Sequence, residues 1–187
     1  MTIGIGVEGP SDRMFWSNVL HTKFAGVRFD IHNMRGRPRL IREAPRLIDS
    51  FRSAHYDLSI ILVDRDNTPC VHGVLDEFDS FIRDEAKRPL SERSVLVCVA
   101  IKELEAWYLA DQNGINKVPP RSNYEAPRDT GVLNAQRQLD KLWRLHYVTA
   151  FNKILFANEM SRVFDPELAK EKSASFSHFW GHITRLL

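Results

Sequence analysis

Residues 58–66 read LSIILVDRD, a nearly continuous apolar run that ends in two aspartates separated by an arginine. A run rich in Ile, Leu and Val without polar alternation is typical of a strand that is covered on both faces. Similar short runs occur at 3–7, 27–31 and 95–100, and segments with helical periodicity separate them. The sequence therefore predicts an α/β fold: a three-layer α/β/α domain with a mainly parallel four-stranded sheet and right-handed crossovers.

The connecting segments predict three helices. The first is expected over 10–21, with Ser11 as its N-cap. The second covers 40–51, where Pro45 marks either the first turn of a helix that starts late or a kink, and the sequence leaves both open. The third is expected over 73–87. Its inward-facing residues are predicted to be Val74, Phe78, Phe81 and Ile82.

Beyond the fourth strand the pattern changes from alternating strands and helices to helices alone. A helix over 103–111 precedes a connection at 114–129 that is rich in Pro, Gly and Asn. We therefore divide the chain into an α/β core at 1–111 and a helical extension at 112–187 that packs on it, as one domain overall. The helices of the extension are predicted at 133–146, at 151–163 and after the caps Asp165 and Ser175.

The composition is that of a globular protein. The 187 residues include 26 Lys and Arg against 24 Asp and Glu, which gives a formal net charge of +2, and 43% are hydrophobic. Disordered and collagen-like classes are excluded. No window approaches the roughly 18 apolar residues of a membrane span, and the first residues lack a basic signal segment, so we expect a cytoplasmic protein without membrane contact. Cys70 and Cys98 lack zinc-site spacing and are expected to be reduced.

Carboxylates follow three of the four predicted strands. Glu8 follows the first strand, Asp64 and Asp66 end the third, and the fourth runs into an acidic segment at 102–105. In an open parallel sheet of order 2-1-3-4, the first and third strands are neighbours, and ligands bind at their carboxyl ends. Carboxylates that lie close together repel one another unless a cation balances them. Oxygen ligands without Cys or His favour Mg²⁺ or Mn²⁺ over zinc.

Two acidic positions leave alternatives open. Asp12, in the first turn of the first helix, is either a further metal ligand or a favourable charge at the helix N-terminus. Glu103 and Glu105 lie about 200° apart around a helix, so at most one of them faces the metal. Glu103 is nearer the strand end and is the preferred ligand, whereas Glu105 would cap a helix or pair with a basic side chain.

A basic segment follows the second predicted strand. It contains Arg35, Arg37 and Arg39 and is expected to open at the same edge of the sheet as the carboxylates. Arginines in this position are suited to bind the phosphates of a nucleic acid. The alternative is a solvated loop whose charges offset the neighbouring acids.

Several motifs resemble one family. The segment EGPSD at 8–12 and the segment DRDN at 64–67 resemble the TOPRIM domain of primases, topoisomerases and overcoming-lysogenization-defect nucleases. The segment IKELEAWYLAD at 101–111 is similar to the ELEAWLLAD stretch of a bacterial TOPRIM-like family of unknown function. The FDP and SASF segments within 164–176 resemble its closing segment, with alanine in place of the usual proline. The resemblance spans most of the chain and implies a TOPRIM-like, Rossmann-like fold.

The same resemblance implies a chemistry for the acidic residues. Glu8 would act in acid/base catalysis or bridge metal ions, and Asp64 and Asp66 would bind Mg²⁺ or Mn²⁺. Asp12 would match the second acidic residue of the nuclease branch. Two ions stabilise the attacking and the leaving oxygen of a phosphodiester, although the sequence does not establish two.

The resemblance also implies roles outside the strand ends. Lys153 would neutralise the scissile phosphate, and Glu103 or Glu105 would complete a second metal site. A separate ATPase would be the partner in a bacterial antiviral defence system. The chain has no GxxxxGK[ST] loop of its own, so any ATP dependence would come from that partner. We therefore expect a Mg²⁺-dependent phosphodiesterase or nuclease that acts on DNA or RNA. The alternative is a non-catalytic TOPRIM-like binding module that works only in complex with an ATPase or nucleic acid.

Overall fold

The chain divides into two compact units, residues 1–99 and residues 100–187. The boundary between these units differs from the predicted one at residue 111. The structure, a computed structural model, describes residues 1–79, 82–83, 94–118, 122–132 and 134–187.

A four-stranded parallel sheet forms the centre of the first unit, which confirms the predicted fold class. The strands lie in the order β2-β1-β3-β4. In the pairing register, Ile5 of the first strand aligns with Ile31 on one side and with Ile60 on the other. The first and third strands are therefore neighbours, as predicted. The strands are β1 (Thr2–Val7), β2 (Arg28–Asn33), β3 (Leu58–Asp64) and β4 (Val95–Ala100).

The first unit also contains the helices α1 (Pro10–Lys23), α2 (Arg37–Ser53) and α3 (Val71–Asp76). The predicted N-cap of α1 was wrong, because Gly9 rather than Ser11 occupies that position. Asp12 supports the cap at Gly9, since its Oδ2 accepts a hydrogen bond from the Gly9 N–H at 2.8 Å. This contact stabilises the first turn of α1 around a residue that has no side chain of its own to cap it.

The second and third helices begin before their predicted starts. Pro45 lies inside α2, which excludes the late start that the sequence left open. The buried side chains of α3 and the turn after it include Val74 and Phe78, as predicted. Phe81 and the predicted end of this helix at residue 87 lie outside the described residues.

Two glycines let α2 lie directly on β1. Ile3, Ile5 and Val7 of this strand are buried, and Gly4 and Gly6 alternate with them. A Cβ added at Gly4 would overlap the Phe51 ring of α2, and one added at Gly6 would lie 2.8 Å from Leu47 Cδ2. The missing side chains thus allow the close approach of helix and strand.

The second unit is helical in its described part. Asp165 caps one of its helices as predicted, with its side chain accepting from the Glu167 N–H. The last helix is capped by Ser173 instead of Ser175, since the Ser173 Oγ accepts from the Phe176 N–H at 3.3 Å. The elements are α4 (Glu105–Ala110), α5 (Gln112–Ile115), a 3-10 turn (Thr130–Val132), α6 (Ala135–Arg144), α7 (Lys153–Val163), α8 (Pro166–Lys172) and α9 (Ala174–Leu186).

Trp107 joins α4 to α9 in this unit. Its ring stacks on Phe179 with centroids 5.1 Å apart and meets Phe176 edge-on at 5.3 Å. Its Nε1 donates to the Ser175 Oγ at 2.8 Å, so Ser175 is a partner of the indole and not a helix cap. The ELEAW segment and the closing SASF segment therefore pack on each other. None of the helices described here is long and apolar enough to cross a membrane.

Candidate active site

The carboxyl ends of β1 and β3 bring two of the predicted site residues together. Glu8 directly follows β1, and Asp64 is the last residue of β3. The Glu8 Oε1 accepts a hydrogen bond from the Asp64 backbone N–H at 2.8 Å. Parallel pairing places both residues at the edge of the sheet where open α/β folds bind their ligands.

The Glu8 carboxyl lies in an environment that disfavours its charge. Burial raises its pKa from 4.5 to about 7, although the hydrogen bond from the Asp64 N–H opposes this rise. The neighbouring charges of Asp66 and Asp12 raise the pKa further, whereas Arg37 lowers it. The carboxyl group therefore exchanges its proton near neutral pH, which is the range in which a general acid or base is most effective.

Asp12 is buried and bonded within its own helix turn. Its Oδ2 accepts from the Gly9 N–H at 2.8 Å, and its Oδ1 accepts from the Ser11 Oγ at 3.2 Å. Of the two roles that the sequence left open for Asp12, these contacts support the one at the helix N-terminus. The role as a metal ligand stays a prediction.

The three arginines of the predicted phosphate-binding segment differ in their surroundings. Arg35 and Arg39 are exposed, and no acidic side chain in the described part of the chain forms an ion pair with either. Arg37 has only 15% of its side chain exposed and pairs with Glu77 at 2.6 Å and with Asp66 at 3.5 Å. The two exposed arginines are therefore available to an anion, whereas Arg37 is engaged with the protein.

Arg65, between the two aspartates, was not among the predicted site residues. Its side chain is partly buried, and its Nε has no hydrogen-bond partner within the structure as described. The described residues also provide no carboxylate that forms an ion pair with it. An arginine with unused donors beside the carboxylates is suited to hold a phosphate. Its position between Asp64 and Asp66 is the sequence signal that identifies it.

The remaining predicted residues lie in the second unit. The Glu103 Oε1 accepts from the Gln136 N–H of the first turn of α6 at 2.9 Å. Glu105 is fully buried, and its Oε1 lies 2.6 Å from the Nζ of Lys153. Glu105 thus pairs with a basic side chain, which is one of the roles left open for it. The proposed roles of Glu103 in metal binding and of Lys153 at a phosphate stay predictions.

The carboxylates at the sheet edge match a divalent cation in donor type. All are oxygen donors, as Mg²⁺ and Mn²⁺ prefer. Across the residues that the structure describes, however, no group of three or more His, Cys, Asp or Glu is arranged to hold a metal ion. In the structure, Glu8 and Asp12 accept backbone N–H groups and Asp66 faces Arg37.

A family described as "Domain of unknown function (DUF4276)" matches residues 7–184. No curated protein and no solved structure matches the chain. The match extends from the end of β1 to the last helix, so it includes every residue of the candidate site.

Proposed function

We propose that this chain, which belongs to the DUF4276 family, is a cytoplasmic, divalent-metal-dependent phosphodiesterase that acts on nucleic acid. The observation that carries the proposal is the contact between the Glu8 carboxylate and the Asp64 N–H across two neighbouring parallel strands. It places Asp64 beside an acid with a pKa of about 7, at the edge of the sheet where open α/β folds bind ligands, and the charges of Asp12 and Asp66 also act on that acid. The resemblance of these segments to TOPRIM nucleases supports the same chemistry.

The roles follow from the surroundings of each side chain. Asp64 and Asp66 would hold Mg²⁺ or Mn²⁺ together with Glu8, and the ion would supply positive charge to the phosphoryl oxygens. Glu8 accepts a proton from the attacking water near neutral pH as the new oxygen–phosphorus bond forms. The phosphorus–oxygen bond to the leaving group then breaks, and the leaving oxygen takes a proton from solvent. Arg65 and the exposed Arg35 would contact the flanking phosphates.

A second function is favoured by one observation. Glu8, Asp12 and Asp66 already have protein partners, as expected of a module in which the acidic edge is structural. Such a module would bind nucleic acid or an ATPase and act only in that complex. In both cases we propose a separate ATPase partner in bacterial antiviral defence, which rests on the TOPRIM resemblance alone.

The purified full chain tests these two functions directly. Labelled single-stranded and double-stranded DNA and RNA are incubated with Mg²⁺, Mn²⁺ or EDTA. We expect metal-dependent cleavage that falls by about 100-fold or more in Asp64→Asn, in line with the loss of a group that stabilises the transition state. Asp49→Asn, at an exposed position of α2, removes the same charge away from the sheet edge and should cleave like the wild type.

Two other results would each contradict a different part of the proposal. If Asp64→Asn cleaves as fast as the wild type, the acidic edge is not the active site. If neither protein cleaves any substrate but both bind nucleic acid equally, the binding module is supported and the catalytic proposal fails.

A further inference from the structure

The side chain of Arg37 reaches from the first turn of α2 to the loop after β3. Its Nη1 donates to the backbone carbonyls of Asp64 and Arg65, at 3.1 Å in both cases. Its Nη2 donates to the Thr68 Oγ1 at 3.2 Å and to the Glu77 Oε1 at 2.6 Å. One guanidinium group therefore contacts both ends of the five-residue loop at 64–68 and anchors to the segment after α3.

The backbone before α2 fixes where this side chain starts. The Gly36 N–H donates to the Glu8 carbonyl at 2.8 Å, and the Met34 N–H donates to the Val7 carbonyl at 2.9 Å. Gly36 has a φ of 110°, in a region that only glycine adopts readily, and this turn directs the chain into α2. Arg37 is thus attached through its backbone to the Glu8 side of the edge and through its side chain to the Asp64 side.

The loop that Arg37 contacts has a conformation that needs support. Asp66 has a φ of 51°, in the left-handed region that is uncommon for residues other than glycine, although Asp is among those that adopt it. The carbonyls that precede this residue are the two that accept from Arg37. The Asp66 Oδ2 itself lies 3.5 Å from the Arg37 Nη1.

We infer that Arg37 is a positioning residue that fixes the 64–68 loop and with it the carboxylates of Asp64 and Asp66, rather than a direct contact to substrate phosphate. Its consequence for metal binding rests on the proposed function. The planar fork of a guanidinium group donates in several directions at once, which suits Arg37 to fix the loop. The same group holds a positive charge beside the carboxylates, which limits their repulsion before a cation binds.

Arg37→Lys separates geometry from charge. A lysine keeps the positive charge but presents a single ammonium, which cannot reach two carbonyls, a hydroxyl and a carboxylate together. Arg39→Lys is the matched control, because Arg39 lies in the same first turn of α2 and is exposed. Hydrogen exchange measured by mass spectrometry on the full chain without metal reports the order of the loop.

We expect amides within 64–68 to exchange about tenfold faster or more in Arg37→Lys, since local opening controls exchange. Arg39→Lys should exchange like the wild type. Mn²⁺ affinity is read separately from the electron paramagnetic resonance signal of the free ion. We expect the dissociation constant for Mn²⁺ to rise about fivefold or more in Arg37→Lys although the net charge is unchanged, because the ligands are no longer preorganised.

The outcomes distinguish this inference from the proposed function. If Arg37→Lys leaves loop exchange and Mn²⁺ affinity as in the wild type but weakens binding of a labelled oligonucleotide, Arg37 contacts phosphate and the inference is overturned. If the wild type itself binds no Mn²⁺, the proposed function fails, and the exchange result alone decides whether Arg37 fixes the loop. Thr68→Val removes one contact only and should give a smaller increase in exchange, which covers the case in which Arg37→Lys does not fold.

Discussion

At the scale of single residues, the Glu8 carboxyl has the clearest energetic consequence. Its pKa is about 7 in the folded protein against 4.5 as the ordinary value, with burial as the main cause. Between these two pH values the folded state binds more protons than the unfolded state. The free energy of unfolding therefore decreases as the pH rises through this window, because the folded protein must release a proton that the unfolded chain has already lost.

We predict that Glu8→Gln removes this pH dependence. The amide keeps an oxygen that can accept from the Asp64 N–H but carries no charge. In buffer with EDTA, urea unfolding at several pH values should show the variant gaining stability over the wild type from about pH 5 to about pH 8. The gain should reach about 1–3 kcal/mol, less than full burial would give, because Glu8 is partly exposed. Parallel stability profiles in the two proteins would contradict the raised pKa, and Asp49→Asn is the control for a lost surface charge.

The ion pair of Lys153 and Glu105 gives a second prediction at this scale. Glu105 is fully buried, and Lys153 has 39% of its side chain exposed. Lys153→Met should leave a buried carboxylate without its cation and lower the free energy of unfolding by about 1–3 kcal/mol, a figure reduced for the exposure of the lysine. The double variant with Glu105→Gln should recover most of this loss. Urea unfolding measures both effects.

The double variant also separates structure from catalysis. If Lys153 serves only to balance Glu105, the double variant recovers nuclease activity together with stability. If Lys153 neutralises a scissile phosphate, activity stays low while stability returns. A Lys153→Met variant as stable as the wild type would show that the pair contributes little to the fold.

At the scale of elements, the contact between β1 and α2 depends on a missing side chain. Gly4 faces the Phe51 ring so closely that an added methyl group would overlap it. We predict that Gly4→Ala lowers the free energy of unfolding by about 1–3 kcal/mol through overpacking. Gly181→Ala, within α9, meets only the end of Arg185 at 4.0 Å and should instead stabilise by about 0.5–1 kcal/mol. Thermal melts of both variants test these opposite changes in stability. A stabilising Gly4→Ala would contradict the close packing of β1 and α2.

The elements also show what the sequence could and could not predict. The strand positions followed from local apolar runs, and the strand order followed from the common order 2-1-3-4 of open parallel sheets. The structure agrees with both. The caps at Gly9 and Ser173 were missed, because the Asp12 side chain supports the first and the Trp107 indole engages the nearby Ser175. The pair of Glu105 and Lys153 joins residues far apart in the chain, and no local pattern records such a contact. The loop contacts of Arg37 were missed for the same reason.

At the scale of the whole molecule, the range of the family match can be compared with the ranges of the two units. The match covers residues 7–184 and so includes most of both units. The helical unit therefore belongs to the family along with the sheet unit. Within this unit, the buried Asp111 ends the ELEAWYLAD segment, and it accepts from the N–H groups of Gly114 and Asp165. Functional tests therefore require the full chain.

Divalent metal should stabilise the full chain against heat. If Glu8, Asp64 and Asp66 bind a divalent cation in the folded state only, saturating Mg²⁺ or Mn²⁺ at about 100 times the dissociation constant adds about 2.7 kcal/mol and raises the melting temperature by roughly 5–10 °C. Asp64→Asn should lose most of this rise, and Asp49→Asn should keep it. Hydrogen exchange then identifies the ligands, because peptides from the ends of β1 and β3 should gain protection with metal. Protection in the peptide that contains Glu103 would support its role as a further ligand, whereas equal melting of wild type and Asp64→Asn with metal would remove the cation from the proposed mechanism.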